Sequence, residues 1–338
     1  MTKRINLALQ GGGAHGAFTW GVLDRLLDEE DIEVAAITGT SAGALNGAAF
    51  KAGWLENGRE GARASLDWLW RQMGALKDLR LPAWMAGNPL IPGQVASVLE
   101  ASPQFMVADA MTRVVSPYAY GPFYRNPLDR VAREFAFDKV CAAEGPSLFV
   151  SATNVHSGKI RVFSGDDISP ESLLASACLP TLFQAVEIDG AHYWDGGYTG
   201  NPALFPLFRS ELPADIMIVN INPLDRPEVP RSPQEIQNRI NEISFNSSLL
   251  RELRAINFAQ RLIEDGAVGE SALKRVFVHM IADDKLMREM SVATKMMPTP
   301  LTLGRLKEAG RQAADGFLAQ HRDDIGARGT VDLADAYS

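Results

Sequence analysis

Hydrophobic positions follow two rhythms along the first fifty residues. Ile5 to Leu9 form a short apolar run that stops at Gly11-Gly12-Gly13, the pattern of a buried strand feeding a tight turn. Phe18, Val22 and Leu26 then recur at a spacing of four, with Trp20, Leu23 and Leu27 beside them, which predicts a helix with a broad apolar face. A second apolar run, Val34-Ala35-Ala36-Ile37, ends in Gly39-Thr40-Ser41-Ala42-Gly43. The small side chains of Ala44-Leu45-Asn46-Gly47-Ala48-Ala49-Phe50 suit a helix lying close on a sheet. Strand, helix, strand, helix is the order of parallel βαβ units with right-handed crossovers.

Residues 77–125 lose this periodicity and are rich in Pro, Gly and aromatics. Asn126-Pro127 predicts a helix running to Phe135. Residues 148–153 and 160–163 read as a hairpin around Ser157-Gly158, and Ser169-Pro170 starts a helix with proline at its favoured first position. Strands near 184–188 and 191–194 flank the turn Asp189-Gly190, and Ile216 to Val219 is another buried strand. Beyond residue 230 the helical rhythm prevails. Ser232 and Glu235 have capping-box spacing, and Ile236, Ile240, Ile243, Leu250, Leu253 and Ile256 follow. Val276 to Ile281 reads as a last strand before C-terminal helices. No linker, repeat or low-complexity tract divides the chain.

Composition narrows the function classes. The chain has 338 residues, 46% of them hydrophobic and 22% charged, ordinary values for a globular enzyme. Its net charge of -8, without a Lys/Arg cluster, disfavours nucleic acid as a partner. Any membrane contact is therefore expected to be peripheral and apolar or locally basic. Two cysteines, Cys141 and Cys178, do not make a disulfide scaffold. No run of about 18 apolar residues spans a bilayer, and the N-terminal apolar stretch is too short for a signal segment. A cytoplasmic location, at most peripheral to the inner membrane face, is the expectation. No His/Cys spacing implies a metal, and no cofactor is expected.

Three motifs carry chemistry. Gly39-Thr40-Ser41-Ala42-Gly43 is a G-x-S-x-G between a predicted strand and a predicted helix, where small neighbours let a strained turn project the serine hydroxyl. The bland alternative is an N-capping serine. Gly11-Gly12-Gly13-Ala14-His15-Gly16 exposes successive backbone N–H groups at a helix start, which suits an anion. It fits either an oxyanion hole or a dinucleotide-binding G-x-G-x-x-G. A dinucleotide site wants an acid at the end of the next strand, and here that strand ends in Ser41, so the hydrolase reading is preferred. Both motifs end successive parallel strands, with Gly13 and Ser41 28 positions apart, and so can face one pocket. The third motif, Tyr193-Trp194-Asp195-Gly196-Gly197, reads as an exposed turn acid able to approach another loop. Taken alone, a type I′ turn would explain it.

Together the three motifs resemble the patatin-like phospholipase family, in which a glycine-rich loop, a G-x-S-x-G elbow and a late D-G-[GA] occur in this order. The resemblance covers residues 5 to about 222, and it includes Ala175 to Pro180 and Asn201-Pro202 around the acid. It implies a three-layer α/β/α fold with a central, mostly parallel sheet. Residues 1–225 would form the catalytic domain, and residues 226–338 a mainly helical extension packed on it. It also implies a Ser–Asp dyad in which Ser41 is the nucleophile and Asp195 its base. The backbone of Gly11, Gly12, Gly13 and Ala14 would be the oxyanion hole. The pattern departs at His15, where many relatives carry Arg. A histidine near its ordinary pKa would orient the loop or touch a lipid phosphate only in part at neutral pH.

Hydrolases that share this elbow normally use a histidine after the acid. Here His279 falls in a predicted strand and His321 in a charged segment, and neither has a small-residue loop around it. The dyad is therefore the expectation. The anticipated activity is cleavage of fatty-acyl esters of phospholipids or other lipids through an acyl-enzyme. Trp84 in the aperiodic segment, and Met296 and Met297 with Met287 and Met290 later on, are candidates to hold an acyl chain, although core packing is the commoner fate of such residues. Two other classes compete: an esterase or storage-polyester hydrolase with no phospholipid role, and a non-catalytic lipid-binding protein. Comparing a short aryl ester with lipid vesicles separates the first, and turnover lost with Ser41 excludes the second. The long Ile/Leu-faced helix from about residue 233 could pack on the sheet or on a second copy, and a homodimer is the expectation.

Overall fold

The structure is a computed structural model that describes residues 2–75, 116–231, 233–269, 273–290, 295 and 298–335. Its strands are β1 (Lys3–Leu9), β2 (Ile32–Thr40), β3 (Ser147–Asn154), β4 (Ile160–Ser164), β5 (Val186–Ile188), β6 (Ala191–Asp195), β7 (Asp215–Asn220) and β8 (Phe277–Ala282). The helices between them are α1 (Gly16–Leu26), α2 (Ala42–Ala75), α3 (Asp129–Arg133), α4 (Phe137–Val140), α5 (Pro170–Ser176), α6 (Pro233–Glu264), α7 (Asp284–Glu289) and α8 (Pro300–His321). The strands form one sheet in the order β5-β6-β3-β2-β1-β7-β8, with β4 paired to β3. β3, β2, β1, β7 and β8 run parallel, while β4, β5 and β6 supply the antiparallel pairs.

Period-two alternation splits the core into two layers. Leu7 and Leu9 of β1, Ile37 of β2 and Met217 and Val219 of β7 face one side, where they meet Phe18 and Val22 of α1, Phe50 and Leu66 of α2, and Leu303 and Leu306 of α8. Ala8, Ala36, Ile216 and Ile218 face the other side and meet Leu249, Leu253 and Ile256 of α6. The result is a three-layer α/β/α fold around a mostly parallel sheet. The chain after residue 225 is built into this sheet: β8 extends it in parallel beside β7, and α8 packs on the first-side core.

β1 pairs with β2 on one side and β7 on the other. The chain leaves β1 toward β2 and returns to the other edge of β1 only with β7, a switch that opens a crevice at the carboxyl ends of the strands, the place where open α/β sheets bind ligands. The glycine loop after β1, Ser41 after β2 and Asn222 after β7 all lie at that edge.

Several expectations change in detail. The helix after Asn126-Pro127 is the short α3, and α2 breaks at Asn57–Gly58, where Gly58 has φ +55. Met287 and Met290 are packed in the core, which is the bland outcome for them. Trp84, Met296, Met297 and Ser232 lie outside the described residues. Glu235, which was expected to cap with Ser232, accepts a hydrogen bond from the Arg231 N–H at 2.9 Å.

Candidate active site

Ser41 sits between the last residue of β2 and the first turn of α2 at φ +54, a left-handed conformation that few non-glycine residues adopt. Strain of this kind is characteristic of a nucleophile elbow. The sequence permits it through small neighbours. A Cβ on Gly39 would lie 2.6 Å from Gly43, and a Cβ on Gly43 would run into the Leu9 carbonyl. The Ser41 N–H donates to Ser176 Oγ at 2.9 Å, which ties the elbow to the end of α5. Only 7% of Ser41 is exposed, at the N-terminal end of α2 where the helix dipole favours negative charge.

Register brings Asp195 alongside. Thr40 pairs with Ser151 and Asp195 with the next residue, Ala152, on one edge of β3, while Val162 and Arg161 of β4 take the other edge at these positions. Ser41 and Asp195 therefore follow one another along the same edge of β3, close enough for the Ser41 hydroxyl to act on the Asp195 carboxyl, and a Cβ on the neighbouring Gly196 would lie 3.0 Å from Thr40 Cγ2. Asp195 is fully buried, which overturns the exposed turn acid expected from Asp-Gly-Gly. The type I′-like pair is Asp189-Gly190 instead, with φ +52 and +75. Asp195 Oδ1 accepts the Gly197 N–H at 2.7 Å. The Asp195 backbone is fixed on both sides: its N–H donates to the Cys178 carbonyl at 2.7 Å, and its carbonyl accepts from Thr153 Oγ1 at 2.8 Å.

Burial pushes the Asp195 carboxyl up to about 7, while the Gly197 N–H and the Ser41 hydroxyl pull it down. Oδ2 is buried and has no partner at full hydrogen-bond geometry among the described residues. The Ser41 hydroxyl thus acts on the carboxyl without a closed bond, as catalytic pairs often do before substrate arrives. Burial, then the charge of Asp195, also drives the Cys178 thiol and the Tyr198 phenol up to about 12, so both stay neutral beside it.

The glycine loop reaches the same point. A Cβ on Gly11 would lie 2.7 Å from Ser41 Cβ, so the first two motifs are in contact. Of the four expected oxyanion donors, Gly11 is spent: its N–H donates to Asn201 Oδ1 at 2.6 Å. The N–H groups of Gly12, Gly13 and Ala14 have no acceptor among the described residues. His15 is wholly buried, and burial followed by the charges of Lys295 and Arg226 lowers its pKa well below the ordinary range. It is neutral at pH 7, which corrects the expectation of a partly charged residue able to meet a phosphate. The basic group beside the loop is instead Lys295, whose carbonyl closes over Gly13 and whose ammonium pKa is lowered by burial, opposed by the charge of Glu242.

The histidines considered for a triad are engaged elsewhere. His279 is fully buried, with Nε2 2.9 Å from Asp215 Oδ1 and Nδ1 3.2 Å from Thr330 Oγ1, at the opposite end of β7 from the crevice. His321 meets Asp324 at 2.9 Å and packs on Phe317. Among the described residues no group of three His, Cys, Asp or Glu side chains is placed to hold a metal ion, and no helix is long and apolar enough to cross a membrane.

Sequence reasoning assigned no role to Ser176, Asn201 or Asn222, which hold the elbow and the loop in place. Ser176 and Asn201 lie in stretches that had drawn attention only for their likeness to a family pattern. Asn222 had a clearer signal, because it follows the carboxyl end of a buried parallel strand, the edge where polar side chains face a ligand.

Among solved structures, the chain is similar to VipD from Legionella pneumophila at 16% identity and a TM-score of 0.44, covering 94% of this chain and 67% of that one. It is also similar to the heterodimeric ExoU–SpcU complex from the type III secretion system of Pseudomonas aeruginosa, at 17% identity and a TM-score of 0.29, covering 96% and 61%. A second ExoU structure, of the type III effector protein alone, gives 15% identity and a TM-score of 0.35, with 94% of this chain and 53% of that one covered. The chain thus spans between about half and two thirds of the length of these proteins. No curated protein matches it. The family description "Patatin-like phospholipase" matches residues 7–208, more than half of the chain and the whole stretch from the glycine loop through Ser41 to Asp195. On that match the chain belongs to the patatin-like phospholipase family, whose members are lipid acyl hydrolases.

Proposed function

We propose that this chain is a serine acyl hydrolase that cleaves fatty-acyl ester bonds of lipids, phospholipids among them, through a Ser41–Asp195 dyad and an acyl-enzyme. One observation carries the reading: a serine strained at φ +54 faces a fully buried aspartate whose carboxyl sits near 7. A general base is most useful when its pKa lies close to the working pH. Asp195 reaches that range by burial, without a histidine.

In the reaction, Asp195 Oδ2 accepts the Ser41 Oγ proton as Oγ bonds to the ester carbonyl carbon. The carbonyl π electrons move to oxygen, and the N–H groups of Gly12, Gly13 and Ala14 take that oxyanion. Preorganised donors of this kind contribute about 10²–10³ each in rate. Collapse of the tetrahedral species breaks the bond to the leaving alcohol, which takes the proton from Asp195. Water then attacks the acyl-enzyme, giving its proton to Asp195, and the second collapse returns that proton to Ser41 Oγ and releases the fatty acid.

The test is release of p-nitrophenol from a medium-chain p-nitrophenyl ester by the parent, Ser41→Ala, Asp195→Asn, His279→Ala and His321→Ala. Turnover in the parent, lost in the first two variants and retained in the two histidine variants, is the expected result. Activity that survives Ser41→Ala, or that dies with either histidine in a folded variant, refutes the dyad. Phosphatidylcholine and phosphatidylglycerol vesicles then separate a phospholipase from an esterase restricted to soluble esters. A folded parent that binds vesicles with no turnover on any of these substrates points to a lipid-binding protein.

A further inference from the structure

Asn222 lies two residues past β7, is 1% exposed, and uses every polar atom of its side chain. Its Nδ2 donates to the Gly11 carbonyl at 2.8 Å and to Gln10 Oε1 at 3.0 Å. Its Oδ1 accepts from Lys295 Nζ at 3.1 Å. An ammonium can face only an oxygen, so Lys295 decides which end of the amide meets the glycine loop. Lys295 is in turn held 3.8 Å from Glu242 Oε1, a carboxylate of α6 that also takes both 2.7 Å hydrogen bonds of the Arg226 guanidinium.

This chain of contacts ends on one peptide plane. The peptide before Gly11 is fixed by the bond from the Gly11 N–H to Asn201, and the peptide after it by Asn222. In a trans peptide the carbonyl and the following N–H point in opposite directions. Holding the Gly11 carbonyl toward Asn222 therefore turns the Gly12 N–H away from it, and that N–H has no acceptor among the described residues. Ile221 packs close against this peptide, since a Cβ on Gly12 would lie 2.9 Å from its Cδ1.

We propose that Asn222, oriented by Lys295, is a positioning residue that aims the Gly12 N–H at the oxyanion of the tetrahedral intermediate. The inference rests on the hydrolase reading above and extends it beyond residues 7–208, the span matched by the family. Asn222 touches no reacting atom. Its effect is to keep one donor preorganised, so its loss should appear in the transition state and not in substrate binding.

Four proteins test this: the parent, Asn222→Asp, Lys295→Met and Lys295→Gln. Each is measured for kcat and KM on the aryl ester, for inhibition by a trifluoromethyl ketone of matching chain length, which forms a tetrahedral adduct, and by the methyl ketone, which does not. Asn222→Asp keeps the shape and the Lys295 contact but turns an acceptor toward the Gly11 carbonyl. It is expected to lower kcat about 100-fold with little change in KM, to weaken the trifluoromethyl ketone in parallel, and to leave the methyl ketone unchanged. Lys295→Met is expected to have a smaller effect of the same pattern, and Lys295→Gln, which can still donate to Oδ1, to recover most of it. If Asn222→Asp folds with an unchanged melting temperature, and kcat and the trifluoromethyl ketone stay within about threefold of the parent, the proposal is overturned. A parallel loss on both ketones, meaning general damage to the pocket, overturns it as well. A parent without Ser41-dependent turnover removes the hydrolase reading and this one with it, whereas a failure confined to Asn222 leaves the dyad standing.

Discussion

Replacing Asp195, the proposed base, should make the protein more stable as it becomes inactive, and the gain should depend on pH in a fixed direction. Asp195 has an ordinary carboxylate value of 3.8 when unfolded and about 7 in the fold, because it is wholly buried. Below the unfolded value both states carry the proton, and ionisation costs the fold nothing. As pH rises toward 7 the unfolded chain loses the proton first, so stability falls; above 7 both states are ionised and the loss is constant. The full penalty for the parent is about 4 kcal/mol, of which about 1.7 is present at about pH 5 and nearly all at about pH 8. Asp195→Asn does not titrate. Whatever its amide costs in packing is the same at both pH values, so its stability relative to the parent should improve by about 2.5 kcal/mol between them. With an unfolding entropy of about 2.1 cal/mol/K per residue, that is about 3–4 °C for a chain of this length. Scanning calorimetry of parent and variant at the two pH values reads the difference directly, and every other titrating group cancels. An offset equal at both pH values, or larger at the acid end, would show that Asp195 is not a buried, high-pKa carboxyl, and the argument for it as the base would fail with it.

Three further outcomes follow from the same geometry. Because Asp195 must be ionised to take the Ser41 proton, kcat/KM should fall about tenfold per pH step below 7 and level off above it. A flat profile between about pH 5 and pH 8 contradicts this. Ser176→Ala leaves the Ser41 N–H buried without its acceptor, and should cost about 1–3 kcal/mol in urea unfolding and lower kcat more than KM; unchanged stability and rate would show that the contact is idle. Ser41→Gly and Ser41→Ala should both be inactive, but the glycine variant should melt higher, by about 1 kcal/mol of relieved left-handed strain. An alanine variant of equal or greater stability would deny the strain.

Much of the architecture could be read from local pattern. The strand runs at 5–9, 34–37, 216–219 and 276–281 are each a consequence of which residues are apolar, and the structure places β1, β2, β7 and β8 over them. Ser169-Pro170 capped a helix as its chemistry requires, since a serine oxygen satisfies an orphan N–H and proline lacks one to lose. The nucleophile candidate was legible for the same kind of reason. An elbow needs small residues at fixed offsets, and Gly39 and Gly43 record that need in the sequence itself.

What the sequence by itself could not determine is the electrostatics, because these depend on which distant segments come to lie together. Asp-Gly-Gly reads locally as an exposed turn. Only the pairing of β6 with β3 buries Asp195, and only that burial lifts its carboxyl to about 7. His15 reads as a basic residue in a glycine loop, yet its burial, and then the charges of Lys295 and Arg226, leave it neutral. The glycine loop offers four amides in the sequence, but Asn201, 190 positions away, takes the first, and Asn222 fixes the plane of the next. Local sequence specifies backbone shape because shape is decided by neighbours along the chain. Charge state and donor direction are decided by neighbours in space, and those exist only once the sheet has formed.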